Sequence, residues 1–159
     1  MSIENVNRSK EDRESRWSIS SPTREDPILI VCPKCDEKAS VIPFTENEVK
    51  ATCFNCGFSE TKSTEERTYY WYEGNPTDGV FEFDLWLTSQ CNGHPLWAFN
   101  LKHLIYLENY ISADLRERSR DDKLGWSNSS LTSRLPKWMK SAKNREALLK
   151  AIAQLRTKA

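Results

Sequence analysis

Two Cys-x-x-Cys pairs, Cys32-Pro33-Lys34-Cys35 and Cys53-Phe54-Asn55-Cys56, stand seventeen residues apart. Two intervening residues let the chain curl so that both sulfurs of a pair face one point. Two such curls supply four thiolates in a tetrahedron, the donor set of a closed structural zinc site. The residue after each pair often needs a positive φ, which Gly57 adopts freely and which Asp36 is among the few other residues to tolerate. The spacing predicts one Zn2+ per chain, held by Cys32, Cys35, Cys53 and Cys56. The competing readings are two disulfides or two redox-active pairs. A redox motif is expected beside a βαβ pattern, which this sequence lacks.

A second constellation is Cys91, His94 and His103. A tight turn at Asn92-Gly93 sets Cys91 opposite His94, and His103 falls one helical turn into the next element. Three such ligands with water in the fourth position would make an open, catalytic-type metal site. The ordinary alternative is a buried thiol packed as a small hydrophobe and a histidine near a helix start. Asp84 and Glu108 are nearby in sequence, but nothing singles out a general base. Gly-rich phosphate loops, nucleophile elbows and paired-histidine zinc motifs are missing. With His94 and His103 the only histidines, acid–base work near neutral pH has few candidates. The expectation is a non-enzyme with no catalytic residues and no small-molecule substrate.

The elements that must position the cysteines are short strands. Residues 27–31 lead into the first pair, 38–44 leave it, Thr45-Glu46-Asn47-Glu48 turns, 49–54 reach the second pair, and 58–61 follow it. Strands flanking two knuckles in this way resemble the zinc ribbons of transcription factors and RNA polymerases. That resemblance spans about a quarter of the chain and implies a fold, not a task. Proteins with such ribbons bind DNA, RNA, polymerase subunits or other proteins.

Beyond the ribbon, Tyr69-Tyr70-Trp71-Tyr72 reads either as a strand with two apolar faces covering the core or as a base-stacking surface. Residues 73–79 are a loop by their turn residues. Alternation predicts a strand over 81–87. Asn92-Gly93 predicts a two-residue hairpin turn pairing Cys91 with His94, Ser89 with Leu96, Leu87 with Ala98 and Leu85 with Asn100. One face of this hairpin carries Phe81, Phe83, Leu85, Leu87, Leu96 and Ala98, the other Trp86, Trp97 and Phe99. Such a hairpin is either covered on both sides, the expectation here, or exposes one face as a binding surface. Asn100 is placed to cap a helix over 101–118, with Leu101, Leu104, Leu107, Ile111 and Leu115 at helical spacing. A polar loop follows at 119–128. Two helices close the chain, one over 131–139 with Pro136 near its start or kinking it, and one over 144–157 with Leu148, Ala151, Ile152 and Leu155 on one face.

The runs Cys91-Asn92-Gly93-His94-Pro95-Leu96-Trp97-Ala98-Phe99-Asn100 and Arg134-Leu135-Pro136-Lys137-Trp138-Met139-Lys140 are similar to a group of uncharacterised bacterial zinc-ribbon proteins. The resemblance covers most of residues 30–158. It implies one shared architecture and transfers no activity.

Charge is balanced over the 159 residues but unevenly spread. Residues 1–26 carry five basic and six acidic side chains, 27–128 ten and sixteen, and 129–159 eight and one. The basic end, with Arg134, Lys137, Trp138, Lys140, Lys143 and Arg145, suits a phosphate backbone. The alternatives are a solvated face, or pairing with the acidic middle of the same chain. The start lacks a secretory signal, no apolar run is long enough to span a membrane, and thiol ligands suit a reducing interior; the expected place is the cytoplasm.

The sequence thus predicts an α+β protein: a disordered arm over 1–26, a four-cysteine zinc ribbon over 27–62, a continuing antiparallel hairpin with an amphipathic helix over 63–128, and basic helices over 129–159. Residues 63–159 are expected to form one unit with the ribbon. The functional expectation is a zinc-binding factor associated with nucleic acid or a nucleoprotein machine. The alternative is a protein–protein adaptor or complex subunit anchored by Trp86, Trp97 and Trp138, its ribbon purely structural.

Overall fold

Isoleucine, valine and alanine at every second position set the strands between residues 28 and 52 into one sheet. The computed structural model describes residues 8–10, 19–65, 76–113, 115–117 and 135–159. In chain order the elements are β1 (Arg8–Lys10), β2 (Ile28–Val31), β3 (Lys38–Thr45), β4 (Glu48–Thr52), β5 (Ser59–Ser63), β6 (Leu87–Cys91), β7 (His94–Ala98), α1 (Leu101–Ser112), β8 (Leu115–Glu117), α2 (Lys137–Lys140), a 3-10 turn (Ala142–Asn144) and α3 (Arg145–Arg156). The fold is α+β. An antiparallel sheet runs in the order β2-β3-β4-β5, β6 and β7 form a separate hairpin, and β1 pairs in parallel with β8. No helix among the described residues is long and apolar enough to cross a membrane.

The hairpin is a wall between two cores. Trp97 and Phe99 face the sheet and pack with Ile28, Ile30, Val41, Val49, Phe81 and Leu85. Leu96 and Ala98, the alternate residues, face the helices and pack with Leu104, Leu107, Ile111, Leu148, Ile152 and Leu155. Two apolar faces on one strand thus find cover on both sides. The Asn92-Gly93 turn sets the expected register, with Cys91 opposite His94, Ser89 opposite Leu96 and Leu87 opposite Ala98. Asn92 and Gly93 both take positive φ, at 51° and 79°, the conformation a two-residue hairpin turn requires.

The register stops at Leu87. Leu85 does not meet Asn100; it bridges to Ile30 on the edge of β2. The strand expected over 81–87 is a loop at 81–83, makes single bridges at Asp84 and Leu85, and becomes strand only at Leu87, and the cause is Asp78. Its buried carboxylate accepts from the N–H groups of Val80 (3.0 Å), Phe81 (2.8 Å) and Phe83 (2.8 Å), and Glu82 turns through φ 62°. A side chain that gathers three amide donors from one short stretch outcompetes a ladder for them. The hairpin does not extend the four-stranded sheet as a continuous ladder. It is tied to β2 through Leu29 N–H to Phe99 O (2.8 Å), Val31 N–H to Asp84 O (2.8 Å) and Trp86 N–H to Leu29 O (3.0 Å).

Asn100 caps α1 as expected: its Oδ1 accepts from His103 N–H at 2.9 Å, and its Nδ2 donates to Asp26 O. The helix ends at Ser112, not at 118. Arg145, on α3, donates to the Ala113 carbonyl at 3.4 Å, so a cation from a distant helix meets the end of α1, where carbonyls lack internal partners. Leu115 leaves the helical stripe for β8, and Leu101 is exposed rather than buried.

Among the described residues of the next segment, helix begins at Lys137, directly after Pro136, whose fixed φ suits a start; 131–134 lie outside the description. α3 buries Leu148, Ala151, Ile152 and Leu155 as its periodicity predicts. The arm expected over 1–26 ends too late. Ile19 is 1% exposed and sits in the sheet core, and Asp26 receives the Asn100 bond. Trp17, the aromatic run 69–72 and the loop 119–128 lie outside the described residues.

Candidate metal centre

Two matching turns build the centre. β2 pairs with β3 from Val31↔Lys38, and β4 with β5 from Thr52↔Ser59, so each hairpin closes over a six-residue loop, 32–37 and 53–58. The β3–β4 register, with Ser40 opposite Thr52, sets both loops at the same end of the sheet. Each loop has cysteine at its first and fourth positions and a left-handed residue at its fifth, Asp36 at φ 61° and Gly57 at φ 77°. The hydrogen bonds repeat as well. Asp36 N–H donates to Cys32 O (3.0 Å) and Gly57 N–H to Cys53 O (2.9 Å), while Cys32 N–H donates to Glu37 O (2.8 Å) and Cys53 N–H to Phe58 O (2.9 Å).

The four sulfurs converge. Cys32 Sγ lies 3.6 Å from Cys56 Sγ, Cys35 Sγ lies 3.6 Å from Cys53 Sγ, and all four fall within 4.8 Å of one another. Thiolates at the corners of a tetrahedron, each about 2.3 Å from a central ion, stand about 3.8 Å apart. The cluster therefore fits a metal ion. All four cysteines are free thiols, so the disulfide reading falls.

Backbone and side-chain donors support negative charge on the sulfurs. Lys34 N–H points at Cys32 Sγ (3.4 Å), and Asn55 Nδ2 at Cys35 Sγ (3.5 Å). The Asn55 donor, aided by the Glu37 amide, lowers the Cys35 thiol to about 7. At Cys56 the Phe58 amide pulls downward, but local desolvation of this otherwise exposed sulfur and the three neighbouring sulfurs prevail and push it up to about 12. Binding a cation favours thiolate ligands and releases their protons. Beside the second loop, the Phe83 ring meets Phe58 edge-on at 6.0 Å and stacks on Phe81 at 5.3 Å. Asn55 and the Asp78 loop are the supports that the cysteine spacing does not announce.

Among the described residues these cysteines are the only group of three or more His, Cys, Asp or Glu side chains near enough to hold an ion. Cys91, His94 and His103 are not gathered. Cys91 is buried in the helical core, where desolvation raises its thiol pKa. His94 stacks on Trp138 with centroids 4.6 Å apart and planes at 10°. His103 lies between Trp97 and Phe99.

His103 is a neutral core residue. Its Nδ1 accepts from Phe99 N–H at 3.2 Å, so the proton sits on Nε2, a buried donor with no partner among the described residues. Burial drives its pKa down to about 3 from 6.5. The unfolded chain takes up a proton there near pH 6.5 and the folded chain only near 3, so acidification between those values favours unfolding. Going from pH 7.5 to 5.5 is expected to cost about 1.4 kcal/mol at this residue. His103→Asn, which keeps an acceptor for Phe99 N–H, should lack that component in urea denaturation at the two pH values; an unchanged pH dependence would refute it.

The basic set splits. Lys137 and Lys143 are exposed, Lys140 is half-buried, Arg145 is turned to Ala113, and Arg134 lies outside the described residues. Asn144 joins the segment to the hairpin turn, donating to Trp138 O (2.8 Å) and accepting from Asn92 Nδ2 (3.0 Å).

Compared with family profiles, curated proteins and solved structures, the chain matches none. Its metal centre therefore rests on sulfur geometry.

Proposed function

We propose that this chain is a non-catalytic zinc protein that associates with nucleic acid or a nucleoprotein assembly. In this reading Zn2+ holds the ribbon and the basic C-terminal helices make the contact. A tetrahedral all-thiolate set suits zinc, which imposes no geometry of its own. Thiolate ligation suits a reducing compartment, the basis for placing the chain in the cytoplasm.

The observation that carries the nucleic-acid reading is that Lys137, Lys143 and Lys150 are exposed and have no acidic partner among the described residues. Pairing with the acidic middle occurs at Arg156, whose Nη1 meets Glu108 at 2.6 Å. Residues 135–159 hold seven basic side chains against Glu146 alone, and such a surface attracts phosphate by counterion release. The adaptor reading has less support, because its anchors are engaged internally. Trp97 is 6% exposed. Trp86 Nε1 donates to Lys158 O at 3.0 Å beneath the Lys158 ammonium, and Trp138 has one ring face on His94. The non-catalytic reading draws on His94 and His103 both being occupied in packing.

The test is an anisotropy titration of labelled DNA and RNA oligonucleotides at about 50 and 200 mM salt. With three phosphates neutralised, affinity should fall about 40-fold between the two. Replacing Lys137, Lys143 and Lys150 by Gln together should weaken binding and flatten that dependence. No binding at low salt, or affinity indifferent to salt, rejects the nucleic-acid reading.

A further inference from the structure

We propose that Cys56 is the site at which a peroxide opens the metal centre, with Cys32 as the thiol that completes a disulfide. This rests on the zinc reading above and adds a modification to it.

The four sulfurs are not equally guarded. Cys32 and Cys53 are buried, at 0% and 3% exposure, Cys35 is half-buried, and Cys56 alone is exposed. Its neighbours Asn55 and Gly57 are exposed too, and a Cβ added to Gly57 would meet nothing within 4 Å. With zinc bound all four sulfurs are held as thiolates, so access decides which of them a small oxidant reaches first. The buried Cys32 sulfur stands 3.6 Å behind it. A disulfide needs about 2.05 Å, so the pair must close by roughly 1.5 Å, a movement left to residues 54–57, the exposed part of the loop at the end of its hairpin.

The chemistry balances. The Cys56 thiolate attacks one oxygen of hydrogen peroxide; an S–O bond forms, the O–O bond breaks, and the departing hydroxide takes a proton to become water. The Cys32 thiolate then attacks the Cys56 sulfenic sulfur; the S–S bond forms and the second oxygen leaves as hydroxide, protonated to a second water. The two sulfurs together lose two electrons, which the peroxide accepts. Two of the four ligands are now spent. Cys35 and Cys53, 3.6 Å apart, are left as half a site, too few donors to retain the ion. A dithiol reductant reverses the step.

The experiment treats the zinc-loaded full chain with hydrogen peroxide, follows zinc release with a chromogenic chelator, and maps disulfides by mass spectrometry of non-reduced peptides. Release of the ion, a first disulfide between Cys32 and Cys56, an unmodified Cys91 and rebinding of zinc after dithiothreitol are expected. Cys56→His, which offers an imidazole ligand in place of the exposed sulfur, should keep zinc and release it at least about ten-fold more slowly. Zinc retained with all thiols intact under excess peroxide overturns the proposal, as does a first disulfide between Cys35 and Cys53. The peptide map on the unmodified chain decides the matter even where the histidine variant does not fold. A chain holding no zinc before treatment overturns both readings, whereas one that holds zinc and keeps it overturns this one alone.

Discussion

Cys53→Ser is expected to yield a chain with under about a tenth of an equivalent of zinc and an unfolded ribbon. The sulfur at 53 is 3% exposed and belongs to both the metal cluster and the sheet core. A serine hydroxyl in its place is a poor ligand, and it also buries a polar group without a matched partner. Structural zinc in comparable four-ligand modules contributes about 10–16 kcal/mol of apparent folding free energy. That matches or exceeds the whole stability of an ordinary domain, about 5–15 kcal/mol. The sheet has little to offset the loss. Its inward residues on β3 and β4 are Ala39, Val41, Val49 and Ala51, and β5 is largely exposed. Treating the unmodified chain with a strong chelator should have the same effect. Cys91→Ala, whose thiol lies in the helical core away from the cluster, should keep a full equivalent of zinc and lose roughly 1 kcal/mol. Elemental analysis with a thermal melt checks all three. A melting temperature unmoved by chelation would show that the metal does not hold the fold.

Features encoded within a few residues were legible in the sequence. Two cysteines with two residues between them, followed by Asp36 or Gly57, specify a knuckle down to its left-handed fifth position. Asn92-Gly93 fixes a hairpin register over three pairs, and Asn100 marks the start of α1. Features depending on distant partners were not. The end of α1 meets Arg145, which lies 32 residues beyond the Ala113 carbonyl it touches. Alternation over 81–87 signals a strand, but a loop needs fewer ladder bonds once Asp78 collects its amides. The surroundings of the tryptophans were not legible for a related reason. Composition shows their number but not that Trp86 lies under Lys158 and Trp138 against His94. That the hairpin needed cover on both faces was readable; that it would divide two cores was not.

Asp78→Ala is expected to destabilise the chain by about 3–4 kcal/mol at neutral pH, the larger part of it from amides left unpaired. Asp78 is 1% exposed, with Oδ2 accepting from Val80 and Phe81 N–H and Oδ1 from Phe83 N–H. Burial pushes its carboxyl above the usual carboxylate range, against the pull of those three amides and of Lys62. Alanine removes every acceptor at once. The loop then loses the contacts that deliver Val80 and Phe81 to the sheet core and Phe83 to Phe58 beside the second knuckle. Asp78→Asn keeps the shape and one acceptor oxygen but turns an NH2 group toward a backbone N–H, so its cost should be intermediate, about 2 kcal/mol. The sign of the pH effect follows from the raised carboxyl. The unfolded chain releases this proton first, so the native state loses stability as pH rises through the folded value. The deficit of the neutral asparagine variant relative to the unmodified chain should therefore narrow as pH rises from the acid side. Urea denaturation with zinc present ranks the three chains. Equal stability of the alanine variant and the unmodified chain would mean that the loop is held by its phenylalanines and not by the carboxylate.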